Sequence, residues 1–352
     1  MMKRRLPALA GFGSPLIPVC LFILFFTRGG AALSAVEFLN GRIKLVLHED
    51  TGRFSLYYLI DMPQQRDIHL WRYEPFFVDS DPRTSFLTVM ANDRTYRLGE
   101  STSFRVRIRP SPGNPAILFE SPFLAVTQEF TFIKTIDAPL SNGVRMTIRL
   151  ENRGTDEVSA GARFLLDTNL GEGSHGDPFS IGEQPVSAEF MIDSPTDDPC
   201  WISRTARYGL MGSVSTGEGP KPDQIHFANW QRLNEVPWKL GFISGRNFNY
   251  LPYSINDSAV AYTFDPRPLA AGESRDYVIL LAMVDERGFF QTEDAPAETP
   301  PINDSREEDL ITLRDFIARL DNHLAGRLVL SDEELAEIEA AITSLKSRYL
   351  VW

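Results

Sequence analysis

From Val36 to about Phe290, apolar residues recur at every second position in short runs, and turn-forming residues separate the runs. A period of two puts successive side chains on opposite faces, so the pattern predicts a mainly β chain folded as a large antiparallel β-sandwich. Residues 42–47 read Arg-Ile-Lys-Leu-Val-Leu. A Glu-Asp-Thr-Gly turn follows, and residues 53–60 return with Phe54, Leu56, Tyr58 and Ile60 on one face, which predicts a hairpin. Residues 86–90 and 95–98 predict a second hairpin around Asn92-Asp93. In residues 104–108 the apolar positions alternate with Arg105, Arg107 and Arg109, a row expected to be a solvated strand face paired with acidic neighbours.

Further strands are expected at residues 116–119, 124–133 and 144–150. The last of these turns at 151–155 into residues 158–166, which it is expected to pair in a long antiparallel ladder. Residues 185–192 alternate again, and 208–214 form a short glycine-rich run. Residues 217–238, rich in Gly and Pro, read as a long irregular loop. Residues 258–264 and 275–284, joined by a Pro-rich turn, are expected to close the domain as a hairpin.

The period changes after residue 290. Residues 291–304 carry prolines and acids without periodicity and read as a linker. In residues 305–352, Leu310, Leu313, Ile317 and Leu320, then Leu335, Ile338, Ile342 and Leu345, follow the three- and four-residue spacing of amphipathic helices. Ser331 with Glu334 makes a capping box, and the short loop between the stripes predicts an antiparallel helical hairpin. Two helices bury each other's stripes only in part. The remaining apolar face is expected to pack on the sandwich or to meet another chain, either an envelope protein or a second copy.

The first 35 residues have their own logic. Lys3, Arg4 and Arg5 precede an apolar run at 16–26 and small residues at 29–35, the order of a secretory signal peptide cleaved after Ala35 or Ser34. The run is too short for a stable membrane helix, so no membrane span is expected after cleavage. A periplasmic or extracellular location follows. Cleavage would remove four basic residues and no acid, taking the formal charge from −12 to −16. So acidic a surface argues against nucleic acid or anionic lipid as a partner. Cys200 would then stand alone, without a cysteine partner for a disulfide.

Candidate chemistry concentrates where one strand ends. After Leu166 come Asp167 and Thr168, then a glycine-rich loop holding Glu172, Ser174, His175 and Asp177. Asp167 and Thr168 at a strand end commonly serve a structural turn. The weak catalytic candidates are Asp167, Glu172 and His175 with His226, since convergent carboxyls could perform acid–base chemistry. The five histidines lack metal-ligand spacing and the loop fits no calcium-loop pattern, so neither metal nor cofactor is expected. Trp230, Trp238 and Tyr250, with Asp177, are candidates for a glycan platform. The alternative is that the tryptophans plug one end of the sandwich.

The phrases Asn40-Gly41-Arg42-Ile43-Lys44-Leu45-Val46-Leu47, Thr51-Gly52-Arg53-Phe54 and Leu269-Ala270-Ala271-Gly272-Glu273 resemble the galactose mutarotase-like supersandwich over residues 36–290. The resemblance implies that fold. It also implies kinship with sugar epimerases, polysaccharide lyases and glycosidase sandwich domains, which usually place sugars on the concave sheet. The Asn-His aromatic motif of the mutarotases is absent, and no catalytic residue carries over. The expected function is therefore a non-enzymatic envelope scaffold or assembly component, acting through contacts of the sandwich and the hairpin. The alternative is a glycan-binding module or a sugar-active enzyme of epimerase, lyase or glycosidase type.

Overall fold

The computed structural model describes residues 35–61, 72–77, 83–111, 113–168, 170–172, 177–193, 198–285 and 288–289, together with 331, 338–340 and 343. The chain divides into two compact units, Met1–Val284 and Asp285–Trp352.

Among the described residues of the first unit, the regular structure is antiparallel strands and one short helix. In chain order these are β1 (Ala35–Asn40), β2 (Ile43–His48), β3 (Arg53–Asp61), β4 (Arg72–Pro75), β5 (Phe86–Ala91), β6 (Arg94–Arg97) and β7 (Arg105–Arg109). Then come β8 (Ala116–Glu120), β9 (Leu124–Ile133), β10 (Gly143–Asn152), β11 (Val158–Leu166), β12 (Phe179–Ile181), β13 (Gln184–Val186) and β14 (Phe190–Ile192). They are followed by β15 (Cys200–Arg204), β16 (Gly209–Ser213), β17 (Gln224–Asn229), the helix α1 (Trp230–Glu235), β18 (Ser258–Leu269) and β19 (Ser274–Met283). They make a four-stranded sheet β1-β2-β3-β4, a nine-stranded sheet β13-β12-β15-β16-β19-β10-β9-β8-β7 and a six-stranded sheet β14-β17-β18-β11-β5-β6.

Alternation along each strand explains the layering. In β10, Val144, Met146, Ile148 and Leu150 are buried, while the outward Arg145 and Arg149 pair with Glu218 at 2.5 Å and with both oxygens of Asp276 at 2.7 Å. The inner faces of the sheets share one core, to which β11 adds Ala162, Phe164 and Leu166 and β18 adds Val260, Tyr262 and Phe264. Trp201 of the nine-stranded sheet donates its indole N–H to the Tyr262 hydroxyl at 2.6 Å, and that hydroxyl donates to the Ser213 carbonyl at 2.9 Å, so two fully buried polar tips satisfy each other across the layers. Gly212 lies opposite Trp201, and a Cβ there would come within 2.3 Å of the indole.

The two early hairpins form as expected, β2 with β3 and β5 with β6. The arginine row lies on β7, where Arg107 pairs with Glu120 at 3.4 Å and Arg109 pairs with Glu129. Two expected pairings are wrong. β10 pairs with β9 and β19, and β11 with β5 and β18, so the turn between β10 and β11 carries the chain from one sheet to the other. β18 and β19 likewise belong to different sheets and form no hairpin. Both corners are tied by Asn152, 1 % exposed: its Nδ2 donates to the Asp156 and Leu269 carbonyls at 2.8 Å each, and its carbonyl accepts from Gly272 at 3.0 Å. Each strand of these pairs carries an apolar face that the other can cover face to face, and this competes with edge pairing. Residues 185–192 also split, β13 and β14 going to different sheets.

The expected loop at 217–238 instead holds β17 and α1. Asn229 caps the helix by accepting from the Arg232 N–H at 3.3 Å. Arg163 and Arg97 reach up from the sheet to the Leu233 and Asn234 carbonyls at 2.8 and 3.1 Å, satisfying the last turn. The helix thereby covers the outer face of the six-stranded sheet, where Phe86, Leu165, Ala228, Leu233, Ala259 and Ala261 form a second small core.

In the second unit residues 338–340 are helical, Ile338 is buried, and the Thr343 hydroxyl donates to the Glu339 carbonyl at 2.8 Å. Leu310, Leu313, Ile317, Leu320, Leu335, Ile342 and Leu345, the linker 291–304 and the leader up to Ser34 lie outside the described residues. No described helix is long and apolar enough to cross a membrane.

Candidate functional site

One end of the six-stranded sheet collects acids. β11 ends there at Leu166 and β18 begins there at Ser258, so Asp167 and Asp257 flank the same edge of the ladder. Glu172 returns to it from the following loop: its Oε1 accepts from the Ser258 N–H at 2.6 Å and the Ser258 hydroxyl at 3.2 Å, while Asn256 donates to the Glu172 carbonyl at 2.9 Å. One carboxylate oxygen from each of Asp167, Glu172 and Asp257 lies within 4.8 Å of the others. None of the ion pairs among the described residues involves any of the three. Burial, reinforced by Glu172 and Asp257 against a smaller opposing pull from the Thr84 hydroxyl, pushes the Asp167 carboxyl up to about 8. Burial raises Glu172 and Asp257 as well.

Trp230 stands at this same end. Its backbone N–H donates to the Asp257 carbonyl at 3.1 Å and its indole N–H to the Thr84 carbonyl at 2.9 Å. The other two aromatic candidates differ in exposure. Trp238 is 8 % exposed, and Tyr250 turns its hydroxyl to Glu235 at 3.1 Å and its ring towards Tyr253. Asp177 is exposed and lies outside the trio. At the other end of its loop Gly171 packs so closely on Pro178 that a Cβ would lie 2.4 Å from Pro178 Cα. His175 lies outside the described residues.

His226 sits elsewhere, on the outer face of β17 under α1. Its Nε2 is 3.1 Å from Glu189 Oε1, which also accepts from the Ile243 N–H at 2.9 Å, while Glu189 Oε2 pairs with Arg232. Glu189, His226 and Arg232 are all buried. Burial, with the Arg163 guanidinium beside it, depresses His226 to about 4, so the ring is neutral at pH 7 and donates to a carboxylate whose charge Arg232 balances. Sequence reasoning missed Glu189, Arg232 and Asp257. Of these only Asp257 left a local sign, in the Asn256-Asp257-Ser258 turn where Asn256 takes φ 53°. Two depressions, of about 570 and 320 Å³, lie against Asn92, Arg94, Tyr96 and Asp156 and against Lys221, Asp223 and Arg267, and neither includes a candidate residue.

At the level of fold the chain resembles galactose mutarotase-like structures. A galactose mutarotase related enzyme from Lactobacillus acidophilus is 9 % identical, with a TM-score of 0.41 over 73 % of this chain and 100 % of that one. The aldose epimerase homologue from C. elegans is 10 % identical, with a TM-score of 0.40 over 72 % of this chain and 98 % of that one. A TPR-domain containing protein from Parabacteroides distasonis is 10 % identical, with a TM-score of 0.42 over 80 % of this chain and 54 % of that one. No protein-family model matches the sequence, and no curated protein is similar to it.

Proposed function

We propose that this protein is a non-enzymatic, exported docking component that binds another envelope protein through the loop between α1 and β18. The supporting observation is the apolar display on that loop: Leu251 is 71 % exposed, Tyr253 79 % and Ile255 75 %, with Phe242 and Ile243 nearly half exposed. Single exposed apolar residues need no explanation, but five within one loop support reading that loop as an interaction surface. The loop is also held in shape. Asn229 donates to the Phe248 and Asp257 carbonyls at 2.8 and 2.9 Å and to the Ser254 hydroxyl at 3.1 Å, and Ser254 and Tyr253 both donate to the Tyr250 carbonyl. A partner meeting a preformed turn loses little ordering entropy. The basic, then apolar, then small-residue leader supports placement outside the cytoplasm.

A photo-crosslinking side chain in place of Tyr253, used in the native envelope, tests this reading. One protein adduct is expected, competed away by excess purified chain and lost when Leu251→Asp and Ile255→Asp are added. Adducts to lipid alone, or an adduct that persists in the double variant, would overturn it. A glycan-binding or sugar-active role is the second reading, favoured by three carboxyls meeting beside Trp230. Saturable binding of a soluble oligosaccharide, weakened at least about tenfold by Glu172→Gln, would support that second reading.

A further inference from the structure

We propose that Asp167, Glu172 and Asp257 form a binding site for one divalent cation of the calcium type, joining the end of β11, the loop that follows it and the start of β18. Oxygen ligands stand about 2.3–2.6 Å from calcium, so two ligands of one ion are at most about 5 Å apart. Three carboxylate oxygens within 4.8 Å of one another meet that requirement. A second observation points to an occupant: Asp167 is 3 % exposed, yet its Oδ1 has no hydrogen-bond partner. The buried Thr84 hydroxyl faces Asp167 without making a well-formed hydrogen bond to it. Buried oxygens without donors are costly, and a cation satisfies several of them at once.

The donor set is oxygen only, with no thiolate or imidazole, which selects a hard ion over zinc or copper. Among the described residues, by contrast, the other buried carboxylate, Glu189, has its arginine. The ligands come from segments far apart in sequence, which explains why no calcium-loop spacing is visible.

The test uses the purified protein stripped with a chelator. Calcium is titrated calorimetrically, thermal unfolding is followed with and without calcium, and terbium luminescence is excited through tryptophan, Trp230 being hydrogen-bonded at the site. The expected result is one saturable site, a rise of about 5 °C or more in Tm at saturating calcium, and terbium emission that calcium competes away. Asp167→Asn and Asp257→Asn should each weaken binding at least about tenfold, as loss of a charged ligand does. Glu172→Gln, at a half-buried position, provides a third variant should either aspartate change fail to fold. Absence of heat, Tm shift and emission in the parent protein overturns the site. Equal calcium affinity in the parent and in every folded variant overturns it as well.

Discussion

Two buried carboxyls, Glu189 and Asp167, lie beside strands of the same six-stranded sheet and solve the same problem differently. Glu189 is ringed by donors from its own chain: Arg232, His226 and the Ile243 N–H. Asp167, with Glu172 and Asp257, has no basic side chain paired to it among the described residues, and one of its oxygens has no partner. A buried charge is tolerated when it is paired and hydrogen-bonded; otherwise the group takes up a proton or a cation. The first cluster is therefore a brace, complete in itself, that holds the loop near Ile243 against the sheet. The second is open, and the missing partner must come from solution.

The difference has measurable consequences. The largest should come from Glu189→Ala, which leaves Arg232 buried without its carboxylate and frees the Ile243 N–H; a loss of about 3–5 kcal/mol in denaturant unfolding is expected. A pH series comes next. His226 binds its proton more weakly folded, at about 4, than unfolded, at 6.5. Its contribution is therefore present above the unfolded value and is lost as pH falls from about 6.5 towards 4, amounting to about 3 kcal/mol at most. His226→Gln should flatten that part of the stability profile.

The open cluster should respond with the opposite sign. Asp167→Asn in chelator removes an acid that has no countercharge and should raise unfolding free energy by about 1–2 kcal/mol, and in calcium that advantage should shrink or reverse. The same substitution in the braced cluster, Glu189→Gln, should destabilise in both conditions. Smallest in stability are Leu251→Ser and Tyr253→Ser, expected within about 0.5 kcal/mol of the parent because both side chains already face water. Adduct formation at the loop should nevertheless fall in both.

Much of this architecture was legible in the residue pattern, and the failures share a cause. Alternation located the hairpins β2–β3 and β5–β6, where a short turn leaves neighbouring strands nowhere else to go. It could not tell an edge-paired neighbour from a face-packed one, so β10 with β11 and β18 with β19 were placed side by side when each pair spans two sheets. Gly and Pro at 217–222 masked β17, whose His226 looked like a loop residue and is a buried one on the outer sheet face. Of the acid trio, composition pointed to Asp167 and Glu172. Asp257 was found only through the β11–β18 register.

The chain's own chemistry determined the local matters: where strands run, which of their faces are apolar, which turns are tight, and that acids gather after Leu166. Those follow from side-chain period and backbone preference within a few residues. Tertiary structure alone decided which strands share a sheet, which tryptophans are buried, that His226 belongs to Glu189, and that Asp257 completes the rim with Asp167 and Glu172. Those outcomes depend on which distant segments compete for the same neighbour and on the charge each finds there, quantities that no stretch of sequence carries by itself.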